Sequence, residues 1–427
     1  MATVKPFSCV RPTVEKAADV AALPYDVYSS EEARTFVEAH PQSFLAIDRA
    51  ETAFPKGIDL YAPEVYEKAG SLLHEWMANG TFVTDTEDCY YLYELTMNDR
   101  VQTGIVACVA IDDYINGVVK KHENTRSDKE EDRVRHVKAC RAQTGPIFLA
   151  YRAKEEIRAI VSAVKETSPL YDFVSEDDIR HRVFRISDVA QISALQDTFS
   201  RMQQIYIADG HHRAASAVRA GLERRKEDMA AGCYTGAEEY NTFLSVLFPD
   251  EELLIMDYNR VLKELNGLSE AAFFEKVSAI FDVSELPAQT KPAAKGEFTM
   301  FLNDTWYLCK VKPVDNATAA NAASAGTHLS ANDPVAALDV SILQNLLLAP
   351  VLGIDDPKTD KRIDFVGGIR GLNELERRCH TDCRAAFALY PTSIGELFSV
   401  ADAGLLMPPK STWFEPKLRS GLFIHRI

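Results

Sequence analysis

One run of polar and glycine residues has the types and spacing needed for chemistry: Asp209-Gly210-His211-His212-Arg213. It follows an apolar segment of strand type and precedes a strong helix former, so it is predicted at a strand-to-helix turn. The first turn of a helix attracts anions through its free N–H groups and its dipole. Gly210 permits a close backbone approach, and Arg213 supplies a fork that matches phosphate or carboxylate oxygens. The turn predicts a site for a phosphorylated or phosphate-donating small molecule, although a helix cap with two surface histidines would give the same pattern.

The histidines and the aspartate of this turn add acid–base capacity. His211 and His212 can donate to phosphate or move a proton near neutral pH. Asp209 can orient a histidine, hold a hydroxyl or help to bind Mg²⁺. Adjacent histidines are not by themselves a metal-binding motif.

A second polar stretch runs over Lys120-Lys121-His122-Glu123-Asn124-Thr125-Arg126 and is followed by Asp132-Arg133. Glu123 can act as a general base toward a substrate hydroxyl, and its cationic neighbours His122, Lys121 and Arg126 can hold anionic groups. The alternative is a solvated charged helix, because residues 127–138 are amphipathic and charged.

Three shorter patterns offer polar groups on stiff backbone. Pro24-Tyr25-Asp26-Val27 predicts a rigid polar turn, and Tyr258-Asn259-Arg260 follows a buried strand. In the tail, two prolines precede Lys410, Ser411 and Thr412, with Lys417 beyond them, which suits either a phosphate clamp or a plain strand.

The run Cys379-His380-Thr381-Asp382-Cys383 has two cysteines at helical spacing, but a zinc site needs about four ligands and no second pair follows.

The elements around these motifs predict an α+β fold of mixed sheets with flanking helices. Segments 89–95 and 103–111 predict a hairpin, and 242–249 predicts a buried strand. Helices are predicted over 64–77 and 335–352, and a mobile loop over 315–330, with a lid as one possible role. We divide the chain into an N-terminal α/β region at 1–115, a catalytic region at 116–285 and a C-terminal α/β region at 286–427.

Composition limits the class of function. The 427 residues carry a net charge of −16, which repels nucleic-acid backbone, so no nucleic-acid partner is expected. No apolar run reaches the ~18 residues that a membrane span needs, and no secretory segment stands at the N-terminus. Eight scattered cysteines indicate reduced thiols. A cytoplasmic protein with a small-molecule substrate is expected; the sequence leaves its oligomeric state open.

Taken together, the motifs carry a family resemblance. The six stretches around Pro24, His122, Asp132, Asp209, Tyr258 and Met407 occur in an order that resembles the DUF1015 family of domains of unknown function, from about Arg11 to the end. The Asp-Gly-His-His-Arg sequence also resembles the signature box of the ParB/sulfiredoxin superfamily, which implies a subdomain of that kind. Sulfiredoxins have a Cys in this box where His211 stands here, so sulfinic-acid reduction is not expected.

The resemblance implies a kinase that phosphorylates free L-serine to O-phosphoserine, with pyrophosphate, ATP or ADP as donor and Mg²⁺ as cofactor. Glu123 is the expected base, with Asp209 as its substitute and His211 as a third catalytic group. The expected phosphate-binding residues are His122, Arg126, His212, Arg213, Arg260, Lys410, Ser411 and Thr412. Asp26 and Thr125 are assigned to the acceptor substrate. Two alternatives stay open: a phosphohydrolase that uses the same pocket, and a non-enzymatic sensor of a nucleotide or of phosphoserine.

Overall fold

The computed structural model describes residues 1–312 and 333–427. The chain forms two compact units, of which the first contains Met1–Leu253 and Pro416–Ile427 and the second contains Leu254–Glu415. The loop predicted at 315–330, and with it the lid, lies outside the described residues. The division into regions 1–115, 116–285 and 286–427 stays a prediction beside these two units.

The helices are α1 Ala17–Val20, α2 Ser30–Ala39, α3 Leu45–Asp48, α4 Pro63–Ala78, α5 Ile111–Ile115, α6 Ser127–Cys140, α7 Glu155–Lys165, α8 Val189–Ser200, α9 His211–Ala231, α10 Glu270–Ile280, α11 Asp339–Leu343, α12 Ala349–Leu352, α13 Gly371–Thr381 and α14 Ile394–Asp402. A π-helical segment, Gln344–Leu348, joins α11 to α12, so the helix predicted at 335–352 is present from residue 339 onward. No helix of the described residues is long and apolar enough to cross a membrane.

The strands are β1 Val4–Lys5, β2 Val10–Pro12, β3 Phe82–Thr84, β4 Tyr90–Met97, β5 Arg100–Ala110, β6 Val119–Lys120, β7 Ala142–Gln143, β8 Ile147–Tyr151, β9 Tyr171–Val174, β10 Arg180–Ile186, β11 Ile205–Asp209, β12 Thr242–Pro249, β13 Leu254–Met256, β14 Tyr258–Leu262, β15 Phe281–Leu286, β16 Glu297–Leu302, β17 Thr305–Val311, β18 Ile363–Gly367, β19 Ala385–Leu389, β20 Trp413–Glu415 and β21 His425–Arg426. The predicted hairpin is confirmed as β4 and β5, which pair in antiparallel register from Tyr91 opposite Val106 to Met97 opposite Arg100.

The first unit is organised by a mixed sheet. Among the described residues this sheet has the strand order β6-β11-β8-β12-β5-β4-β10-β9, and β1 pairs with β5. Strands β6 and β11 run parallel, as do β8 and β12, whereas the other pairs are antiparallel. Its core packs residues such as Leu149, Ile207 and Leu247, which are fully buried. The predicted α+β class with mixed sheets and flanking helices is therefore confirmed.

The second unit has its own sheet, in the strand order β15-β17-β16-β19-β14-β18 over its described residues. Helix α13 packs on this sheet through Leu372 and Leu375, which belong to a cluster with Val261 and Trp306. Cys379 lies in α13, but the helix ends at Thr381 and Cys383 lies beyond it. Within the described residues, no group of three His, Cys, Asp or Glu side chains could hold a metal ion, and this includes the Cys379–Cys383 segment.

Candidate functional site in the first unit

The parallel pairing of β6 with β11 joins the two main motifs. Ile205 lies opposite Val119 and Tyr206 lies opposite Lys120, so both strands leave the sheet at the same edge. The chain after β6 then passes beside the turn after β11. The backbone N–H of His122 donates to Nε2 of His211 at 3.4 Å, and the N–H of Arg126 donates to Nε2 of His212 at 3.1 Å. Segment 122–126 and the Asp209–Arg213 turn therefore form one site.

The Asp209–Arg213 turn starts a long helix. Strand β11 ends at Asp209 and α9 begins at His211, with Gly210 as the N-cap at φ +91°. That φ lies in the left-handed region, where glycine carries no steric penalty. No side chain caps this helix end, so its first turn presents N–H groups that the helix does not pair, together with the positive end of its dipole. The turn is suited to binding an anion.

The Arg213 guanidinium lies over Gly210. A Cβ at position 210 would stand 3.1 Å from both Nε and Nη2 of Arg213, which shows how closely the guanidinium approaches the glycine. Nη1 of Arg213 donates to the carbonyl oxygen of Pro146 at 2.6 Å, and this bond fixes the orientation of the fork. Arg213 is partly exposed, so a ligand can reach its guanidinium. The guanidinium therefore adds a positive charge beside the N-terminus of α9.

Asp209 is an ion-paired carboxylate. Its Oδ2 lies 3.2 Å from Nζ of Lys417, and its Oδ1 accepts a hydrogen bond from the N–H of Gly210 at 2.8 Å. Burial raises the pKa of Asp209, but Lys417 and Arg213 outweigh burial and hold that pKa well below its ordinary value. A carboxylate held in its ionised form in this way is a weak proton acceptor.

His211 faces Glu123 with its second ring nitrogen. Because Nε2 of His211 accepts from the His122 N–H, the ring proton lies on Nδ1, which is 3.9 Å from Oε2 of Glu123. Burial, and after it the neighbouring His122, lowers the pKa of His211 well below its ordinary value, so the ring is neutral at neutral pH. The Glu123 side chain retains 40% of its exposure and is accessible to a ligand.

His122 packs behind this pair. Its ring meets the ring of His211 edge to face, with centroids 4.4 Å apart. Burial lowers the pKa of His122 to about 4. Its Nδ1 is buried and has no hydrogen-bond partner among the described residues. A neutral ring in this place supports the packing of His211 but brings no positive charge to a phosphate.

The other predicted residues of segment 122–126 use their side chains locally. The guanidinium of Arg126 pairs with Asp128 at 2.7 Å on the surface, and the Thr125 hydroxyl donates to Glu130 at 3.1 Å. The phosphate role of Arg126 and the acceptor role of Thr125 stay predictions, and because the Arg126 guanidinium is paired with Asp128 we expect it to contribute less to phosphate binding than Arg213.

The Pro24–Val27 stretch lies in the same unit. Tyr25–Val27 forms a 3-10 turn, and the Tyr25 ring stacks on the guanidinium of Arg133 at 4.0 Å. Tyr25, Arg133 and Arg213 all line a cavity of about 30 Å³, room for about one water molecule. Asp26 is exposed, and its assignment to the acceptor stays a prediction. Four of the six predicted motifs, those around Pro24, His122, Asp132 and Asp209, thus belong to the first unit.

The remaining predicted residues belong to the second unit. Arg260 is buried, and its guanidinium donates to the carbonyl oxygens of Tyr258, of Lys410 at 2.9 Å and of Pro409 at 3.3 Å. Burial lowers the pKa of Arg260 to about 10. The Ser411 hydroxyl donates to the Pro408 carbonyl at 2.6 Å.

Lys410 has φ +59°, and its ammonium lies 5.6 Å from the centre of the Tyr258 ring. Thr412 precedes β20 and is partly buried. The phosphate roles of Arg260, Lys410, Ser411 and Thr412 stay predictions.

Lys417 is the partner of Asp209 that sequence reasoning did not assign. The sequence places Lys417 with the tail, because it contains no signal that Pro416–Ile427 belongs to the first unit. The ion pair joins residues 208 positions apart. A lone lysine five residues after a predicted clamp has no local pattern that identifies such a partner.

The family model described as "Protein of unknown function (DUF1015)" matches residues 4–341. No curated protein matches the chain. Solved structures that resemble it include a free serine kinase in complex with AMP, at 13% identity and a TM-score of 0.35, covering 75% of this chain and 92% of that kinase.

Two further structures are similar at the same level. A conserved hypothetical protein from Pyrococcus furiosus has 15% identity and a TM-score of 0.34, covering 74% of this chain and 94% of its own. SbnI with a C-terminal truncation from Staphylococcus aureus has 12% identity and a TM-score of 0.35, covering 74% and 85%. Likeness at these scores assigns no activity to this chain.

Proposed function

The chain belongs to the DUF1015 family, and on that premise we propose that it is a phosphotransferase that converts free L-serine to O-phosphoserine, with pyrophosphate or a nucleotide as donor. The family membership confirms the resemblance that the six motifs predicted. The activity rests on the residues of the first unit and on the resemblance of the Asp209–Arg213 turn to the box of free-serine kinases.

One observation carries the proposal. An accessible carboxylate, Glu123, lies 3.9 Å from the ring of His211 at the N-terminal end of α9, where Arg213 and the helix dipole favour an anion. A base and an anion site in one place are the two parts that phosphoryl transfer to a hydroxyl requires. A plain helix cap needs only the second.

The transfer step is a direct displacement. The serine hydroxyl oxygen forms a bond to the terminal phosphorus of the donor, and the bond between that phosphorus and its bridging oxygen breaks. The hydroxyl proton goes to the Glu123 carboxylate, and the leaving group departs as phosphate from pyrophosphate or as the shortened nucleotide. Such transfer depends chiefly on positioning and on neutralising charge.

Glu123 is a better base than Asp209. Asp209 is paired with Lys417 at 3.2 Å, and that lysine together with Arg213 holds its pKa well below the ordinary value despite burial, so it accepts a proton poorly at neutral pH. Glu123 instead faces the Nδ1–H of a neutral histidine. We assign His211 as a positioning residue that orients the Glu123 carboxylate.

The donor is held by main-chain N–H groups and one cation. The first turn of α9 and the Arg213 fork would bind its phosphate oxygens, with His212 beside them, whose Nε2 accepts a hydrogen bond from the Arg126 N–H. The Gly210 backbone allows a phosphate to approach closely, as the absence of a side chain permits.

Mg²⁺ fits this site as a companion of the donor. In general Mg²⁺ takes one or two carboxylates, several waters and substrate phosphates, without a dedicated protein cage. Asp209 and Glu123 would be the carboxylates nearest to such an ion. When bound, Mg²⁺ neutralises charge on the phosphate oxygens.

A donor screen tests the proposal. The protein is incubated with Mg²⁺ and L-serine and with pyrophosphate, ATP or ADP in turn, and O-phosphoserine is measured by mass spectrometry. The expected result is product with at least one donor and about 10²- to 10⁴-fold slower formation with Glu123→Gln, while Arg135→Ala, which removes a surface cation paired with Glu131, retains activity. Serine-independent release of phosphate would favour a phosphohydrolase, and binding of a donor without turnover would favour a sensor. Either result would refute the kinase.

A further inference from the structure

A larger cavity of about 360 Å³ lies beside the Tyr25–Val27 turn of the first unit. Its walls come from α2, the segment from α3 through Glu51, α4 and α6. The volume falls in the range of small-molecule pockets, about 300–1,000 Å³. The charged residues that line it are Asp26, Asp48, Arg49, Glu51, Lys129, Asp132 and Arg133, with His136 beside them.

The charge of this cavity favours a ligand with a cationic end. Its lining contains four carboxylates and three Lys or Arg side chains, a difference of one negative charge. His136 adds no positive charge, because burial lowers its pKa below the ordinary value. A polyphosphate would be repelled here, whereas an ammonium group would be attracted.

Asp48 is the carboxylate of this cavity with which a ligand ammonium group would form an ion pair. It is 5% exposed and accepts a hydrogen bond from the Thr144 hydroxyl at 3.0 Å. Its nearest basic group is Nε2 of the neutral His136 at 3.8 Å, and among the described residues no Lys or Arg pairs with it. Burial of a carboxylate without a cationic partner is costly.

The other two buried carboxylates of the cavity already have partners. Glu51 pairs with Arg49 at 2.6 Å, and Asp132 pairs with Arg133 at 2.9 Å. Asp48 therefore differs from these two carboxylates in having no Lys or Arg at ion-pair distance among the described residues, although its charge is among the influences that raise the pKa of the neighbouring Arg133.

The cavity also adjoins the donor site. Tyr25, Asp48, Arg133 and His136 line both this cavity and the cavity of about 30 Å³ that Arg213 lines. Asp48 therefore lines the same small cavity as Arg213, the cation assigned to the donor phosphates.

We propose that the 360 Å³ cavity binds the acceptor as an α-amino acid, with its ammonium group on Asp48 and its carboxylate toward the Arg133 guanidinium. This inference rests on the proposed function, because it supplies the acceptor of that transfer. It places the acceptor at residues 48 and 133, which the sequence patterns did not assign to a substrate.

Titration calorimetry with ligands that differ in one group tests the inference. The wild-type protein is titrated with L-serine and with N-acetyl-L-serine, which lacks the ammonium group. We expect L-serine to bind and the acetylated ligand to bind at least tenfold more weakly. Equal binding of both ligands would overturn the inference, and this result does not depend on how any variant folds.

Two variants locate the contact. Asp48→Asn keeps the size of the side chain and removes its charge, and we expect L-serine binding to weaken at least tenfold while pyrophosphate binding stays unchanged. Glu51→Gln, on the same cavity wall but already paired with Arg49, is the matched control and should change L-serine binding less than threefold. Equal losses in both variants would contradict the assignment of Asp48.

The outcomes separate this inference from the proposed function. Serine binding that depends on Asp48, without product from any donor, would support the cavity and refute the kinase. O-phosphoserine formation that is as fast in Asp48→Asn as in the wild type would support the kinase and refute the cavity.

Discussion

Arg213 in the first unit and Arg260 in the second were predicted to do the same work, yet their surroundings differ. Arg213 makes one hydrogen bond to a carbonyl oxygen and lies over a glycine at a helix N-terminus. Arg260 is 3% exposed, bonds to three carbonyl oxygens and stacks on Phe365 at 5.0 Å. The difference is in what already holds each guanidinium, and we therefore expect a phosphate to bind at Arg213 rather than at Arg260.

The polar side chains near Arg260 show the same local use. Ser411 donates to the carbonyl of Pro408, and Thr392 donates to the carbonyl of Ser411. These bonds stabilise the Met407–Thr412 tail as a folded turn. The Asp209–Arg213 turn has the opposite character, because the first-turn N–H groups of α9 have no partner within the helix.

The largest effect is expected from Glu123→Gln. If the chemistry belongs to the first unit alone, loss of the base should lower kcat about 10²- to 10⁴-fold and leave donor affinity nearly unchanged. Steady-state kinetics and donor titration measure the two quantities. A loss of donor affinity with unchanged kcat would assign Glu123 to binding.

The second effect is on stability. Arg260→Met leaves three carbonyl oxygens without their donor, so we expect the free energy of unfolding to fall by about 3 kcal/mol. Urea unfolding followed by tryptophan fluorescence measures this change, because two of the three tryptophans, Trp306 and Trp413, lie in this unit.

The matched control is Arg377→Met. Arg377 pairs with Glu374 on the surface and is 59% exposed, so its loss should change stability by less than about 0.5 kcal/mol. A weaker pyrophosphate affinity in Arg260→Met, with an unchanged free energy of unfolding, would indicate that Arg260 binds phosphate and would contradict the contrast with Arg213.

A third change tests the glycine under Arg213. Gly210→Ala introduces a side chain at φ +91° and a Cβ 3.1 Å from the guanidinium, so we expect a loss of about 1–2 kcal/mol in stability and a displaced Arg213. Donor affinity should fall about tenfold. Gly232→Ala, at φ +71° at the other end of α9 with open space around it, should cost similar stability and leave donor affinity unchanged.

The smallest effect is the acid dependence of the Asp209–Lys417 pair. Because the pKa of Asp209 is lowered in the folded protein, the pair stabilises the fold above the unfolded pKa of about 4, and this stability is lost as the pH falls through the lower folded pKa. Lys417→Met should therefore lower stability by at most about 1 kcal/mol at pH 7, since the carboxylate is 38% exposed. Urea unfolding at pH 7, 5 and 3 should show the difference from wild type shrinking below pH 4; a difference that grows in acid would contradict the pair.

The local elements of the site could be predicted from the sequence, because they depend on short patterns. The apolar segment before Asp209 and the alanine-rich segment after it are confirmed as β11 and α9, and Gly210 has the predicted backbone freedom. Hydrophobic periodicity and a single glycine contain enough information for a strand-to-helix turn.

The assembly of the site could not be predicted in the same way. Strand β6 has only two residues, which is too short for any periodic signal, yet its parallel pairing with β11 places Glu123 beside His211. The return of Lys417 to Asp209 spans 208 positions and leaves no local pattern. Tertiary contacts likewise decide how many donors of an arginine are bonded to backbone carbonyl oxygens. Arg213 makes one such bond, whereas Arg260 makes three.

The most direct test of the central claim is calorimetric titration of pyrophosphate with Mg²⁺ into the wild type, Arg213→Ala and Arg126→Ala. Arg126 lies beside the same turn, but its guanidinium is paired with Asp128 on the surface. The account predicts that Arg213→Ala weakens pyrophosphate binding about 10- to 100-fold, whereas Arg126→Ala changes it less than threefold. Unchanged affinity in Arg213→Ala would contradict the claim that the Asp209–Arg213 turn holds the phosphate.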